Sequence, residues 1–231
     1  MKKSILLLFA MGILSLISCK QGGGWVDLFN RTDLEGWEVK GGPESNFFVE
    51  DGILVAETKM GLPNTFLATT ENYSNFELEV DFKVDKGMNS GVQIRSGVYD
   101  EPATTPYLNG SLEESTRDWE AGMVHGYQVE IDPSDRAWTG GFYEEGGRGW
   151  LVPLTENEQA RMAFKQGEWN HFRIVADGNN FQTWINGVQA VETTDDDAST
   201  GFIALQLHSI SNENQLGLRV LWKNIRIREL D

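Results

Sequence analysis

The chain has 231 residues and a formal net charge of −16, with 35 acidic against 19 basic residues. A protein this acidic does not bind nucleic acid through phosphate neutralisation, and no basic patch with interleaved aromatics argues otherwise. Its 40% hydrophobic and 11% aromatic content sets aside a disordered polypeptide, and the length suits one large all-β domain better than two small ones.

At the start, Lys2 and Lys3 precede an apolar run over residues 5–17, too short to span a membrane as an ordinary helix. The run closes on Leu16-Ile17-Ser18-Cys19, which resembles a bacterial lipobox. Residues 1–18 are read as a lipoprotein signal peptide, Cys19 as the acylated mature N-terminus and residues 19–24 as a flexible tether containing Gly22, Gly23 and Gly24. A plain secretory signal with an incidental cysteine is the alternative. Cys19 is the single cysteine, so it has no disulfide partner within the chain. The expected address is the bacterial cell envelope or the exterior, with the lipid on Cys19 as the membrane contact.

Residues 25–231 read as the folded domain. Residues 25–30 and 36–39 are short apolar-alternating strands. Residues 47–56 form a hairpin about Asp51-Gly52, and residues 66–70 a further short strand. Phe76, Leu78, Val80, Phe82 and Val84 alternate cleanly and define one core face. Residues 99–123, with Pro102, Pro106, Gly110 and an acidic run, show no sustained period and read as a long loop on the rim of a cleft. Residues 138–150 form a glycine- and aromatic-rich strand and loop, followed by one short helix-like stretch over 156–164. Asp177-Gly178 and Asn186-Gly187 then punctuate hairpin strands. Residues 201–208 place Phe202, Ala204, Gln206 and His208 opposite Ile203, Leu205 and Leu207, and residues 217–230 supply the last one or two strands. The pattern is a single antiparallel β-sandwich.

Two segments stand out, residues 88–96 and 124–132. By strand parity, Asn89, Gln93 and Arg95 share a face opposite Val92 and Ile94, and Gln128, Glu130 and Asp132 share a face opposite Tyr127, Val129 and Ile131. Amides, an arginine and carboxylates on one sheet face suit the floor of a polar cleft. The competing reading is a solvated face with a cross-strand Arg–Glu pair.

Trp169-Asn-His-Phe-Arg-Ile, Trp184-Ile-Asn-Gly-Val, Gly201-Phe-Ile-Ala-Leu-Gln and Val220-Leu-Trp-Lys-Asn-Ile-Arg-Ile resemble the concanavalin-like jelly rolls of lectins and glucanases. With Asp27-Leu-Phe-Asn, Asn89-Ser-Gly-Val, Gly126-Tyr-Gln-Val-Glu-Ile and Thr139-Gly-Gly-Phe-Tyr, the chain is similar more narrowly to the 3-keto-disaccharide hydrolase domain family. The likeness runs over roughly the whole of residues 25–230. It implies an oligosaccharide or glycoside substrate and cleavage of 3-keto-glycosides, and the family's prevalence among bacterial lipoproteins agrees with Cys19. The family often carries a glutamate and a glutamine two residues apart in the second segment; here the order is Gln128, Glu130.

Laminarinase-type jelly rolls carry Glu-x-Asp-x-x-Glu on one strand, whereas Glu130 and Asp132 are followed by Pro133, Ser134 and Asp135. The incomplete set argues against an ordinary glucanase. A 3-keto sugar needs less. Its ketone acidifies the hydrogen on C2, so one base removes that proton and the C1 substituent leaves. Glu130 is the expected base with Asp132 as alternate, Arg95 the group facing the enolate oxygen, and His208 the acid. Asn89, Gln93, Gln128, Trp138, Tyr143, Glu144, Arg148, Trp150 and Gln206 are the expected substrate contacts. His125 and His171 read as structural, and Trp37, Trp169, Trp184 and Trp222 as core. No cofactor is identified. A divalent cation on Glu130, Asp132 and His208 would stabilise an enolate, although no His-x-His or Cys pair marks such a site. A non-catalytic carbohydrate-binding module is the alternative function.

Overall fold

The computed structural model describes residues 23–43 and 46–231; the signal peptide and Cys19 lie outside the described residues. In chain order the strands are β1 (Val26–Asp27), β2 (Trp37–Lys40), β3 (Phe47–Glu50), β4 (Ile53–Glu57), β5 (Thr65–Tyr73), β6 (Phe76–Val84), β7 (Ser90–Val98), β8 (Ala103–Leu108) and β9 (Glu114–Trp119). They continue as β10 (Val124–Ile131), β11 (Phe142–Glu145), β12 (Gly149–Val152), β13 (Asn170–Asp177), β14 (Asn180–Ile185), β15 (Val188–Thr194), β16 (Gly201–Leu207) and β17 (Arg219–Glu229). One helical turn, α1 (Glu158–Arg161), is capped by the Asn157 side chain, which accepts from the Ala160 amide.

The strands form two stacked sheets. One runs β15-β14-β13-β6-β17-β4-β3 with β1 against β17, and the other runs β2-β5-β16-β7-β10-β11-β12-β8-β9. Pairing is antiparallel except for a single parallel contact of β12 with β8 at Gly149 and Leu108. Phe76, Leu78, Val80, Phe82 and Val84 of β6 face Val92, Ile94, Tyr127, Val129 and Ile131 across the sandwich, all fully buried. Each large apolar side chain so buried contributes roughly 1.5–3 kcal/mol. The Asp51-Gly52 hairpin forms as the sequence requires, with both residues at positive φ and Glu50 opposite Ile53.

Two sequence expectations are corrected here. Residues 99–123 are not a structureless loop. They hold the β8–β9 hairpin, six residue pairs in register from Ala103–Trp119 to Leu108–Glu114. The hairpin sits at the sheet edge with mostly exposed side chains, so no buried face imposes a hydrophobic period. Trp169 and Trp184 are only half-buried. They lie on the outer face of the eight-stranded sheet beneath Lys223 and Arg173, at 4.0 and 4.2 Å from the ring centres.

Candidate functional site

The outer face of the nine-stranded sheet carries the site. Strands β7 and β10 lie side by side with Gln93 opposite Gln128 and Gly91 opposite Glu130. Strand alternation then sends Asn89, Gln128 and Glu130 to the same side, away from the core. Gly91 has no side chain for a physical reason. A Cβ there would sit 2.4 Å from the Gln128 carboxamide carbon, which lies directly over it.

Glu130 is 6% exposed. Its two oxygens accept from Asn89 Nδ2 and Gln128 Nε2, each at 2.7 Å. A relay behind them fixes the amide orientations. Ser96 Oγ donates to Gln93 Oε1 at 2.6 Å, and Gln93 Nε2 donates to Gln128 Oε1 at 2.9 Å, leaving Gln128 Nε2 for Glu130. No cation pairs with Glu130 among the described residues. Burial therefore raises its pKa to about 7, aided by the nearby carboxylates of Asp132 and Glu145 and opposed by the two amide bonds.

Glu130 opens into a cavity of about 170 Å³ that also takes in Asn89, Gln128, Tyr143, Trp150, Gln206 and His208. These seven expected residues are brought together from β10, β11, β12, β16 and the chain beside them. His208 Nδ1 lies 2.7 Å from the Ser209 carbonyl oxygen, which only accepts, so Nδ1 carries the proton and Nε2 is the free nitrogen. Gln206 donates to Glu145 at 3.3 Å while its own Oε1, fully buried, has no partner. Such an oxygen at a cavity wall is a ready acceptor for a hydroxyl group.

Other expected residues lie elsewhere. Arg95 does not face the cleft. It has φ of 45°, a bulge in β7 that breaks the alternation on which its placement rests. The guanidinium turns into the molecule, 2% exposed, and donates to the carbonyls of Ser74, Gly178 and Ala198 and to Asn75 Oδ1. Burial lowers its pKa. Arg95 thus bolts loops from both sheets together and forms no pair with Glu130.

Glu144 and Arg148 pair with each other on the opposite face of β11 from Tyr143, and Arg148 also holds Asp195 at 2.9 Å, where Tyr127 donates as well. Trp138 is buried behind Trp150 in an edge-to-face contact at 4.7 Å. Gln93 supports Gln128 from below without lining the cavity. Asp132 is buried beside Arg136, with Arg136 Nε 3.1 Å from Oδ2; the angle there is too poor for a hydrogen bond, so the contact is ionic. Glu130, Asp132 and His208 accordingly do not converge as a ligand set, and no cluster of three His, Cys, Asp or Glu suited to a metal occurs among the described residues.

Four cavity residues escaped the sequence reading: Tyr107, Gly110, Arg136 and Glu145. For Glu145 the signal was present, because Tyr143 and Glu145 share strand parity and Glu144 cannot join them. Glu145 accepts from Asn64 Nδ2 at 2.9 Å; burial raises its pKa, and that bond and the nearby His208 lower it. Tyr107 and Tyr143 share a hydroxyl contact of 3.1 Å, and burial raises the Tyr143 pKa, so Tyr143 keeps its proton at neutral pH. Arg136 stacks over Trp138 and Trp150 at 5.1 and 5.8 Å, a position set by the turn after β10 that no local pattern announces.

The fold is a two-sheet jelly-roll sandwich with an amide- and carboxylate-lined cleft on the outer face of one sheet. The chain belongs to the 3-keto-alpha-glucoside-1,2-lyase-like domain family, whose model matches residues 24–228. It is similar in fold to a Parabacteroides distasonis protein provisionally described as a glycosyl hydrolase, with a TM-score of 0.57 and 20% identity over 90% of this chain and 94% of that one. A carbohydrate-binding module of Bacillus subtilis gives a TM-score of 0.56 at 12% identity, covering 84% of this chain and 96% of the module. A β-glucanase of Bacillus licheniformis gives 0.53 at 13% identity over 91% of this chain and all of that one. No curated protein matches the chain in sequence.

Proposed function

We propose that the protein cleaves the glycosidic bond of 3-keto-glycosides, with Glu130 as the base. The observation that carries this reading is the state of Glu130: a buried carboxylate, paired with no cation among the described residues, clamped by two amides and poised at about 7. A base of that pKa is half-ionised at neutral pH, which suits proton abstraction. Glu130 takes the proton from C2, and the C2–H electrons move into the C2–C3 bond, leaving negative charge on the ketone oxygen. As that charge returns, the C1–O bond breaks and the leaving oxygen takes a proton. Addition of water to the resulting enone would complete hydrolysis.

With Arg95 committed elsewhere, Arg136 is the cation at the cavity wall and the group assigned to the enolate oxygen. His208, on the cavity wall with Nδ1 held by the Ser209 carbonyl, is the group assigned to the leaving-group proton. The leader and Cys19 support, from sequence alone, a lipid-anchored protein of the bacterial envelope.

A binding module is the rival, favoured by the match to a carbohydrate-binding module at nearly the same TM-score as the hydrolase-like protein. Incubation of the mature protein with a 3-keto-disaccharide and with the unoxidised sugar separates the two. Release of monosaccharide from the keto sugar alone is the expected result. Saturable calorimetric binding with no product in either tube would establish the module instead.

A further inference from the structure

Beside the polar cavity lies a second hollow that the proton chemistry does not use. It is larger, about 620 Å³, and it shares Tyr107, Tyr143, Glu145 and His208 with the cavity as a common wall. Its chemistry is different. Phe66 of β5 and Val124 of β10 line its floor, and both belong to a small apolar cluster with Ala68, Phe202 and Ala204, separate from the core between the sheets. The register of β5 with β16 puts Phe66 opposite Gln206 and Ala68 opposite Ala204, so this cluster shares the face of the polar site. The outer face of one sheet therefore changes from amides and carboxylates to aliphatic and aromatic carbon along the same strands.

The side wall comes from the β8–β9 hairpin. Trp119 is pinned by its indole N–H to Thr105 Oγ1 at 2.9 Å. The Arg117 guanidinium lies 4.5 Å from the Trp119 ring centre and 5.0 Å from that of Tyr107. At the rim, Met123 is 40% exposed, a large apolar side chain left uncovered beside the groove. A thioether, a stacked guanidinium and aromatic edges all favour a flat π-system as neighbour. A second sugar ring would call for converging hydroxyl partners; the floor offers none, and Asn64 on the groove wall is already bonded to Glu145 and to the Ser209 amide.

The shared wall fixes the order of the parts. His208 and Tyr143 line both spaces, so a sugar seated at Glu130 with its C1 substituent toward them would pass that substituent into the groove. We propose that the groove holds the leaving group, and that the leaving group is a planar aromatic ring: the substrate class is the 3-keto aryl glycoside. The inference rests on the cleavage reading and sharpens it. A phenolic oxygen, with an acid form near the tyrosine value of about 10, departs more readily than a sugar alkoxide and asks less of the acid.

Two exposed groove residues outside the polar cavity give the test, Met123→Asp and Arg117→Ala. Rates are measured with 3-keto phenyl glucoside and with a 3-keto-disaccharide, and unoxidised phenyl glucoside and methyl glucoside are titrated by calorimetry. In the wild type the aryl substrate should show the higher kcat/KM. Each variant should raise its KM by roughly tenfold, with kcat nearly kept and the KM of the disaccharide changed far less. Equal effects on both substrates, or a wild-type preference for the disaccharide, would overturn the proposal and leave the cleavage reading standing. If neither keto sugar reacts, the cleavage reading fails and calorimetry judges the groove alone. Tighter binding of phenyl than methyl glucoside that disappears in Met123→Asp upholds it, and equal binding of the two sugars removes it.

Discussion

The outer faces of the two sheets start from the same strand alternation and end in opposite states. On the eight-stranded sheet, Glu77, Glu79 and Asp81 of β6 meet Arg173 and His171 of β13 and Arg226 and Arg228 of β17, so each of these three acids has a basic partner. Trp25 lies under Arg226 and Arg228, tiling the face further. The ion pairs hold Glu77 and Asp81 below the usual carboxylate range despite the opposing effect of burial. On the nine-stranded sheet, Glu130 meets amides alone and rises to about 7. A carboxylate paired with a cation is electrostatically finished. One held by neutral donors in a cavity stays available to take a proton, at a cost to the stability of the fold.

The comparison breaks most visibly at Glu130. Glu130→Gln retains the size of the side chain but cannot accept a proton, so turnover should fall roughly a hundredfold or more while the protein stays folded. A rate equal to wild type in the keto-sugar assay would take Glu130 out of the mechanism. Next comes pH. Folded Glu130 binds its proton more tightly than the unfolded chain, whose value is near 4.5, so stability falls as pH rises from there through about 7. The loss amounts to about 3 kcal/mol for a shift of this size. Catalysis moves the other way, with kcat/KM rising through about 7 as the base ionises. Thermal melts of wild type and Glu130→Gln across this range should show a flatter profile for the amide variant and a higher melting point above neutrality.

Arg95→Lys asks whether the buried arginine is a bolt. Lysine cannot satisfy the same set of acceptors from one position, and the groups left bare cost about 1–3 kcal/mol. The melting temperature should drop while turnover per folded molecule is unchanged; a selective loss of rate would return Arg95 to the site. Smallest of all, Glu79→Gln removes one side of a half-exposed pair with Arg226 and should cost less than about 1 kcal/mol, with activity intact. A Glu79 effect rivalling that of Glu130 would erase the distinction between the faces.

Much of this was legible in the residues. Asp51-Gly52 and Asn186-Gly187 specify their hairpins because positive φ at both turn positions is satisfied locally. The β6 alternation and the facing patterns of β7 and β10 follow from a period of two over one buried side, which is why Asn89, Gln128 and Glu130 were found together. Parity failed where the backbone departed from it. The bulge at Arg95 turned an expected site residue inward, where contacts with Ser74, Asn75, Gly178 and Ala198, distant in sequence, hold it. The β8–β9 hairpin escaped notice because it lies at the sheet edge with mostly exposed side chains, so burial imposes no hydrophobic alternation. The sequence by itself determined an all-β sandwich and the face on which Glu130 stands, since both are decided by neighbours one or two residues away. Tertiary structure alone decided which charges are paired, that Glu145, Arg136 and Tyr107 close the cavity, and that Glu130 forms no ion pair among the described residues. Burial and electrostatic partners are properties of strands brought together from across the chain.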